Sequence, residues 1–126
     1  AGNFSTATAG NFGTATAGDD GTATVGDRGT ATAGNYGTAT AGNYGTATAG
    51  NYGKATAGDC GTAAVGDRGT ATAGNYGTAA AGERGSIAIR WHDGTRLRTV
   101  VGYVGEDGIK PDTMYAVFVG KLMEAK

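Results

Sequence analysis

The sequence predicts an all-β fold: a β-solenoid of stacked short strands, closed at its C-terminal end by a hairpin-rich cap. Three observations carry this expectation. Residues 1–88 divide into eleven octads with the consensus A-G-N-Y-G-T-A-T, as in "AGNYGTATAGNYGTATAGNYGKAT" over 33–56. Each octad joins an alternating, β-branched stretch to a Gly/Asx stretch. From Gly85 onward the composition turns to Ile, Val, Arg and Met, and the repeat dissolves. A fixed short period without helical pattern is the mark of a stacked-coil architecture, whose open end needs a cap. The chain therefore divides into a repeat solenoid over 1–88 and a capping segment over 89–126.

Within the octad, positions six to eight and the following position one read "T-A-T-A". Threonine favours extended backbone, and the alternation fits a strand. Positions two to five, "G-N-Y-G", read as a turn, because Gly and Asn tolerate positive φ and an Asx side chain can bond the local backbone. Substitutions assign the faces. Lys54 replaces a position-six Thr, and a lone lysine among alanines would be costly to bury. Val25 and Val65 replace position-one Ala, and the last octad places Ile87 and Ile89 at positions seven and one. Alanine is therefore expected inside and threonine outside.

The spacing leaves two coils open: a flat one of two octads, sixteen residues, and a triangular one of three octads, twenty-four residues. An alanine interior suits the flat coil, since nothing large is present to fill a triangle. A sixteen-residue coil also sets Arg68 beneath Arg84, a like-charge contact with Asp67 and Glu83 beside it. About five flat coils are expected, rising about 4.8 Å each. Alanine methyls bury little area, so inter-coil backbone ladders, Asn or Asp stacks and aromatic stacking must supply much of the cohesion. The strict register and the aromatic tail argue against a disordered or silk-like chain. Glycine at intervals of three and five excludes a collagen helix.

The tail "SIAIRWHDGTRLRTVVGYV" reads as a hairpin around Asp93-Gly94. "GEDGIKPD" reads as a second loop, and "TMYAVFVGKLMEA" as a last strand or hairpin. Ile87, Ile89, Trp91, Leu97, Val100, Val104, Ile109, Tyr115, Val117 and Val119 would form the one large hydrophobic cluster. The opening octads carry no comparable cap, so that end should be adhesive. The chain opens at Ala1 on a repeat boundary and without Met, as a piece of a longer array would.

Charge and composition narrow the function. A net charge of −1 gives no electrostatic case for nucleic acid, and no long apolar run exists for membrane insertion. With one His and one Cys, a four-ligand zinc site is out of reach, and no cofactor is expected. His92–Asp93 is better explained by turn polarity than by acid–base chemistry. Cys60 occupies the variable position four, where it reads as a tyrosine substitute or a thiol for an intermolecular disulfide. The repeated G-x-x-G spacings are turn glycines, because no helix follows them. The expectation is a protein that is not an enzyme.

The octads "AGNYGTAT" and "VGDRGTAT", with the tail "IRWHDGTRLRTVVGYVGEDGIKPDTMYAVF", resemble the bacterial ice-nucleation protein family. The tail matches that family's C-terminal segment through its Trp-x-Asp-Gly hairpin, its Tyr-x-Gly-Glu-x-Gly-hydrophobic loop and its Tyr-bearing strand after the proline. The resemblance implies a solenoid with Thr-x-Thr ladders, a stacked tyrosine edge, arginine-bearing coils near the C-terminus and assembly into clusters. It also implies a cell-surface or secreted location. The chain departs from the family's phrases in carrying T-A-T in both octads, and Lys54, Ala64, Ala80, Ser86 and Ala88 interrupt its threonine rows.

Two candidate sites follow. The first is an outward threonine grid that orders water or binds ice, antifreeze-like: Thr6, Thr8, Thr14, Thr16, Thr22, Thr24, Thr30, Thr32, Thr38, Thr40, Thr46, Thr48, Thr70 and Thr72. Threonine presents a methyl and a hydroxyl on a rotamer-restricted stem, so repetition gives a rigid lattice. The same residues also suit any exposed strand. A chain of five coils is expected to bind ice, or to nucleate it only after assembling. The second site is self-association, as a dimer or end to end, through Tyr36, Tyr44, Tyr52 and Tyr76, with aromatic pairs contributing about 0.5–1.5 kcal/mol each beyond area. Intramolecular stacking alone is the competing reading. Arg28, Arg68 and Arg84 would pair with Asp19, Asp20, Asp27, Asp67 or Glu83 of a neighbour or stay solvated. A rigid spacer or assembly scaffold without ice activity is the alternative function.

Overall fold

Ten three- or four-residue strands, one from each octad from the first to the tenth, recur along the chain at eight-residue intervals in the computed structural model. The structure describes residues 6–74, 76–92, 95, 97–105, 109, 115–118 and 121–124. The repeat strands are β1 (Thr6–Thr8), β2 (Thr14–Thr16), β3 (Thr22–Thr24), β4 (Thr30–Thr32), β5 (Thr38–Thr40), β6 (Thr46–Thr48), β7 (Lys54–Thr56), β8 (Thr62–Ala64), β9 (Thr70–Ala73) and β10 (Thr78–Ala80). Strand β11 (Ser86–His92) begins in the eleventh octad and runs into the tail, followed by β12 (Leu97–Tyr103), β13 (Tyr115–Phe118) and β14 (Lys121–Glu124).

Odd and even strands separate into two sheets of seven, ordered β1-β3-β5-β7-β9-β11-β12 and β14-β13-β10-β8-β6-β4-β2. Within each, repeat strands pair in parallel with a register shift of sixteen: Thr22 faces Thr38, and Thr30 faces Thr46. The coil is the flat sixteen-residue one, in about five turns. A single octad turn reverses the chain, so the second octad returns it one rung higher.

One octad shows how the backbone is satisfied. Ala33 N–H donates to the Thr48 carbonyl (2.8 Å) and Gly34 N–H to the Gly18 carbonyl (3.2 Å). Asn35 N–H donates to Asp19 Oδ1 (2.9 Å). Tyr36 N–H reaches the Asn51 carbonyl (2.8 Å), Gly37 N–H closes the turn on Gly34 (3.1 Å), and Thr38 N–H reaches Gly21 (2.9 Å). Ala39 and Thr40 lie inside the strand pairing. Of these bonds only the turn closure stays within the octad, so an isolated coil would leave most of its donors unpaired, at the desolvation cost that buried amides carry.

The turn differs from the sequence expectation in one respect. Positive φ falls neither on Gly nor on Asn but on position four, from Asp20 at 57° to Arg28 at 61°. With the turn closed from position two to position five, a positive φ at its third residue alone marks the type II form. The glycines serve clearance instead. A Cβ on Gly50 would lie 2.4 Å from Asn35 Oδ1, and one on Gly37 would lie 2.7 Å from the Ala33 Cβ. Side chains at position two would block the Asx ladder, and at position five they would strike the core.

That core is a double file of alanines. Ala23, Ala31, Ala39, Ala47, Ala55, Ala63, Ala71 and Ala79 at position seven are fully buried, and position one is nearly so. The outward threonines alternate with them, as expected. At the cap, β12 pairs antiparallel with β11, and β13 pairs antiparallel with β10 and then β14, so both sheets end on antiparallel strands. Ile87 and Ile89 are fully buried; Ile87 faces Gly102 and Ile89 faces Val100, where a missing side chain and a branched one accommodate the larger residues. Val104, Ile109 and Tyr115 join this core, and Trp91 and Val100 are half-buried. The Asp93-Gly94 turn, most of "GEDGIKPD", Val119 and the side chains of His92, Leu97 and Val117 lie outside what is described.

The two inward positions differ in room, since valine occurs at position one (Val25, Val65) and never at position seven before the cap. Ala47→Val is expected to lower stability by about 1–3 kcal/mol through overpacking, whereas Ala41→Val should cost less than Ala47→Val. Denaturant unfolding of the two variants side by side checks this.

Candidate functional site

The register converts octads into rows. On the sheet of odd strands, position eight gives Thr8, Thr24, Thr40, Thr56 and Thr72, an unbroken run over five rungs. Position six on that sheet runs Thr6, Thr22, Thr38, Lys54, Thr70 and Ser86. On the sheet of even strands, position six gives Thr14, Thr30, Thr46, Thr62 and Thr78, again unbroken, while position eight passes from Thr16, Thr32 and Thr48 to Ala64 and Ala80. All fourteen threonines singled out by sequence fall in these rows. Three that were passed over, Thr56, Thr62 and Thr78, complete them. Their octads carry Lys54, Ala64 or Ala80 in place of the other threonine, so a search for intact T-A-T phrases skips them, although the sixteen-residue period would have found them.

Along a strand, same-face residues are about 6.7 Å apart, and rungs follow at about 4.8 Å. The hydroxyls also speak to one another: Thr78 Oγ1 donates to Thr62 Oγ1 (3.3 Å), and Thr70 Oγ1 and Ser86 Oγ lie 3.5 Å apart. The result is a two-sided grid of methyls and hydroxyls on a stiff support. Chemically it offers weak, repeated hydrogen bonding and apolar contact at fixed spacing, without a reactive centre.

The narrow edges carry a second arrangement. Position-three side chains form a ladder in which each Asx Oδ1 accepts the N–H of its counterpart one coil on: Asn35 from Asn51 (2.9 Å), Asn43 from Asp59 (2.9 Å) and Asp67 from Glu83 (2.9 Å). Position four projects outward beside it. On one edge Tyr36 and Tyr52 stack at 5.0 Å between centroids with planes 3° apart. Arg68 follows, with its guanidinium 5.7 Å from the Tyr52 ring centre and Nη1 donating to the Tyr52 hydroxyl (2.5 Å). On the other edge Arg28 is sandwiched between Phe12 (5.8 Å) and Tyr44 (5.2 Å). Two of the three position-four arginines thus lie over aromatic rings of their own chain, an interaction missed from the sequence because charges were compared only with charges. Arg68 and Arg84 follow one another in adjacent coils, lining a groove with Asn51, Tyr52, Asp67 and Glu83.

Tyr36, Tyr44, Tyr52 and Tyr76 remain 45–89% exposed despite this stacking. Cys60 is a free, exposed thiol in the same column as Tyr44 and Tyr76. The chain matches no known family model, no curated protein and no solved structure.

The Asx ladder makes a stability test independent of the core. Asn43→Ala removes the acceptor for Asp59 N–H, and a loss of about 1 kcal/mol is expected because the turn is partly open to water. Asn43→Asp, which keeps the oxygen, should retain most of the melting temperature of the parent protein, measured by circular dichroism.

Proposed function

We propose that the protein is a non-catalytic, ice-binding and water-ordering solenoid, whose outward threonine faces act as a template. The observation that carries this reading is the pair of unbroken five-threonine rows, each repeating at the strand spacing on a rigid two-layer support. Ice recognition needs many weak contacts in register more than any single strong one. A face of β-branched residues held by two ladders loses little conformational freedom on contact, so little ordering entropy opposes binding. The resemblance of the octads and tail to ice-nucleation proteins points the same way.

A second reading is favoured by the exposed Tyr36–Tyr52 stack. Aromatic columns on the narrow edges suit pairing with another copy of the chain, which would widen a five-coil template and link water-ordering to assembly. Edge pairing leaves both threonine faces free.

Droplet freezing, thermal hysteresis and ice-crystal shaping are expected for the parent protein and strongly reduced when alternate threonines on both faces become lysine. Activity that survives those substitutions would remove the threonine grid from the explanation. For assembly, Tyr36, Tyr44, Tyr52 and Tyr76 changed together to Ser should lower the sedimentation mass; an unchanged mass would count against aromatic pairing.

A further inference from the structure

The two threonine faces are not equivalent, and the difference lies in charge and relief rather than in threonine number. On the odd-strand face, Lys54 stands on β7 with Thr38 on one neighbouring rung and Thr70 on the other, and it is exposed. An ammonium group is compact and strongly hydrated, and it draws water radially around itself. Rungs lie about 4.8 Å apart, so a lysine stem about as long as one rung spacing carries this disturbance across the adjacent threonines. The face becomes rougher towards the cap, where the outward partners on β11 and β12 are Arg90 with Thr99, Ala88 with Val101 and Ser86 with Tyr103. Val101 and Tyr103 are 50% and 55% exposed, and Tyr103 is much larger than threonine.

Over its repeat strands, β2 to β10, the even-strand face has neither a charge nor a side chain larger than threonine. From β2 to β8 every outward residue is threonine or, at Ala64, a side chain smaller than threonine. No charged group interrupts it, and its position-six row continues to Thr78 on β10. Beyond it the sheet continues into the cap, where Thr78 faces Ala116 of β13, and Ala80 is buried. Replacing Thr by Ala at Ala64 removes a hydroxyl but leaves a methyl and a flat surface, a milder defect for a water lattice than a fixed charge.

We propose that the even-strand face alone, β2 to β10, is the water-ordering surface, and that Lys54 silences the odd-strand face. The assignment rests on the ice-binding reading above and says which of its two surfaces works. The silenced face has a physical use of its own: a lysine on a flat, repetitive sheet opposes face-to-face stacking of copies through like-charge repulsion, in the way charged residues protect exposed sheet surfaces and edges.

Three single substitutions at position six test it, each at a site type where Lys54 already demonstrates that lysine is accommodated. Thr46→Lys falls mid-face on β6, Thr22→Lys falls on β3 of the odd-strand face two rungs from Lys54, and Lys54→Thr removes the charge. Circular dichroism and melting temperature confirm that each retains the fold. In droplet freezing and thermal hysteresis, Thr46→Lys should lose most of the activity, Thr22→Lys should lose several-fold less than Thr46→Lys, and Lys54→Thr should gain. If Thr22→Lys loses as much as Thr46→Lys, or loses activity alone, water-ordering stands but the face assignment is overturned. If Lys54→Thr gains nothing, its silencing role is overturned. If neither lysine variant changes anything, the threonine grid itself is not the active element and both readings fall together.

Discussion

Inter-coil hydrogen bonding at a sixteen-residue offset is the constraint on which this molecule depends. Its interior is two files of alanine methyls, which bury too little area to hold a fold by themselves. Cohesion comes instead from a backbone in which each octad directs nearly all of its donors to the coils above and below. Position three extends the ladder into side chains, where one Asx oxygen per turn takes the amide that the turn geometry turns away from any carbonyl. Glycine at positions two and five follows from this ladder and from the closeness of the two sheets. Variation is greatest at position four, outside the ladder, while position three keeps to Asn, Asp and Glu and position one to Ala and Val until the cap.

Position four shows how one backbone requirement shapes the surface. A left-handed residue is disfavoured for L-amino acids by roughly 1–2 kcal/mol, yet among the described residues ten other than glycine take that conformation. The outward projection it gives sets each side chain beside its counterpart one coil away, where Tyr36 and Tyr52 stack and Arg28 and Arg68 lie over rings. The tyrosine pair and the arginine–aromatic contacts offset part of the backbone strain. The same projection leaves the rings exposed, so what stabilises a column within one chain also presents it to a second.

The cap solves the complementary problem. A parallel stack exposes a fresh strand edge and an alanine core at each end. Antiparallel strands β12 and β13 cover the last rungs of both sheets, and the change of residue type from Ala to Ile, Val and Tyr supplies there the apolar volume that the repeats lack. That contrast was legible in the sequence, because Ile87 and Ile89 occupy the inward positions of the octad just as its pattern ends.

Repetition by itself determined the strand, the turn, the inward alanines and the outward threonines, because a period-two alternation leaves only one way to bury methyls and expose hydroxyls. It also placed Tyr36 over Tyr52 once coils of sixteen were assumed. Coil size itself was open, since an octad is compatible with two or three sides, and only the pairing of Thr22 with Thr38 rather than with a residue twenty-four positions on decided it. The left-handed position was misread for a related reason: glycine in a turn suggests conformational freedom, whereas here neighbouring coils demand empty space, and a neighbouring coil is not visible in an eight-residue phrase. The division of threonines into two unlike faces, with Lys54 on one of them, likewise exists only after odd and even octads are sent to opposite sheets, because face membership is a property of the stack and not of the strand.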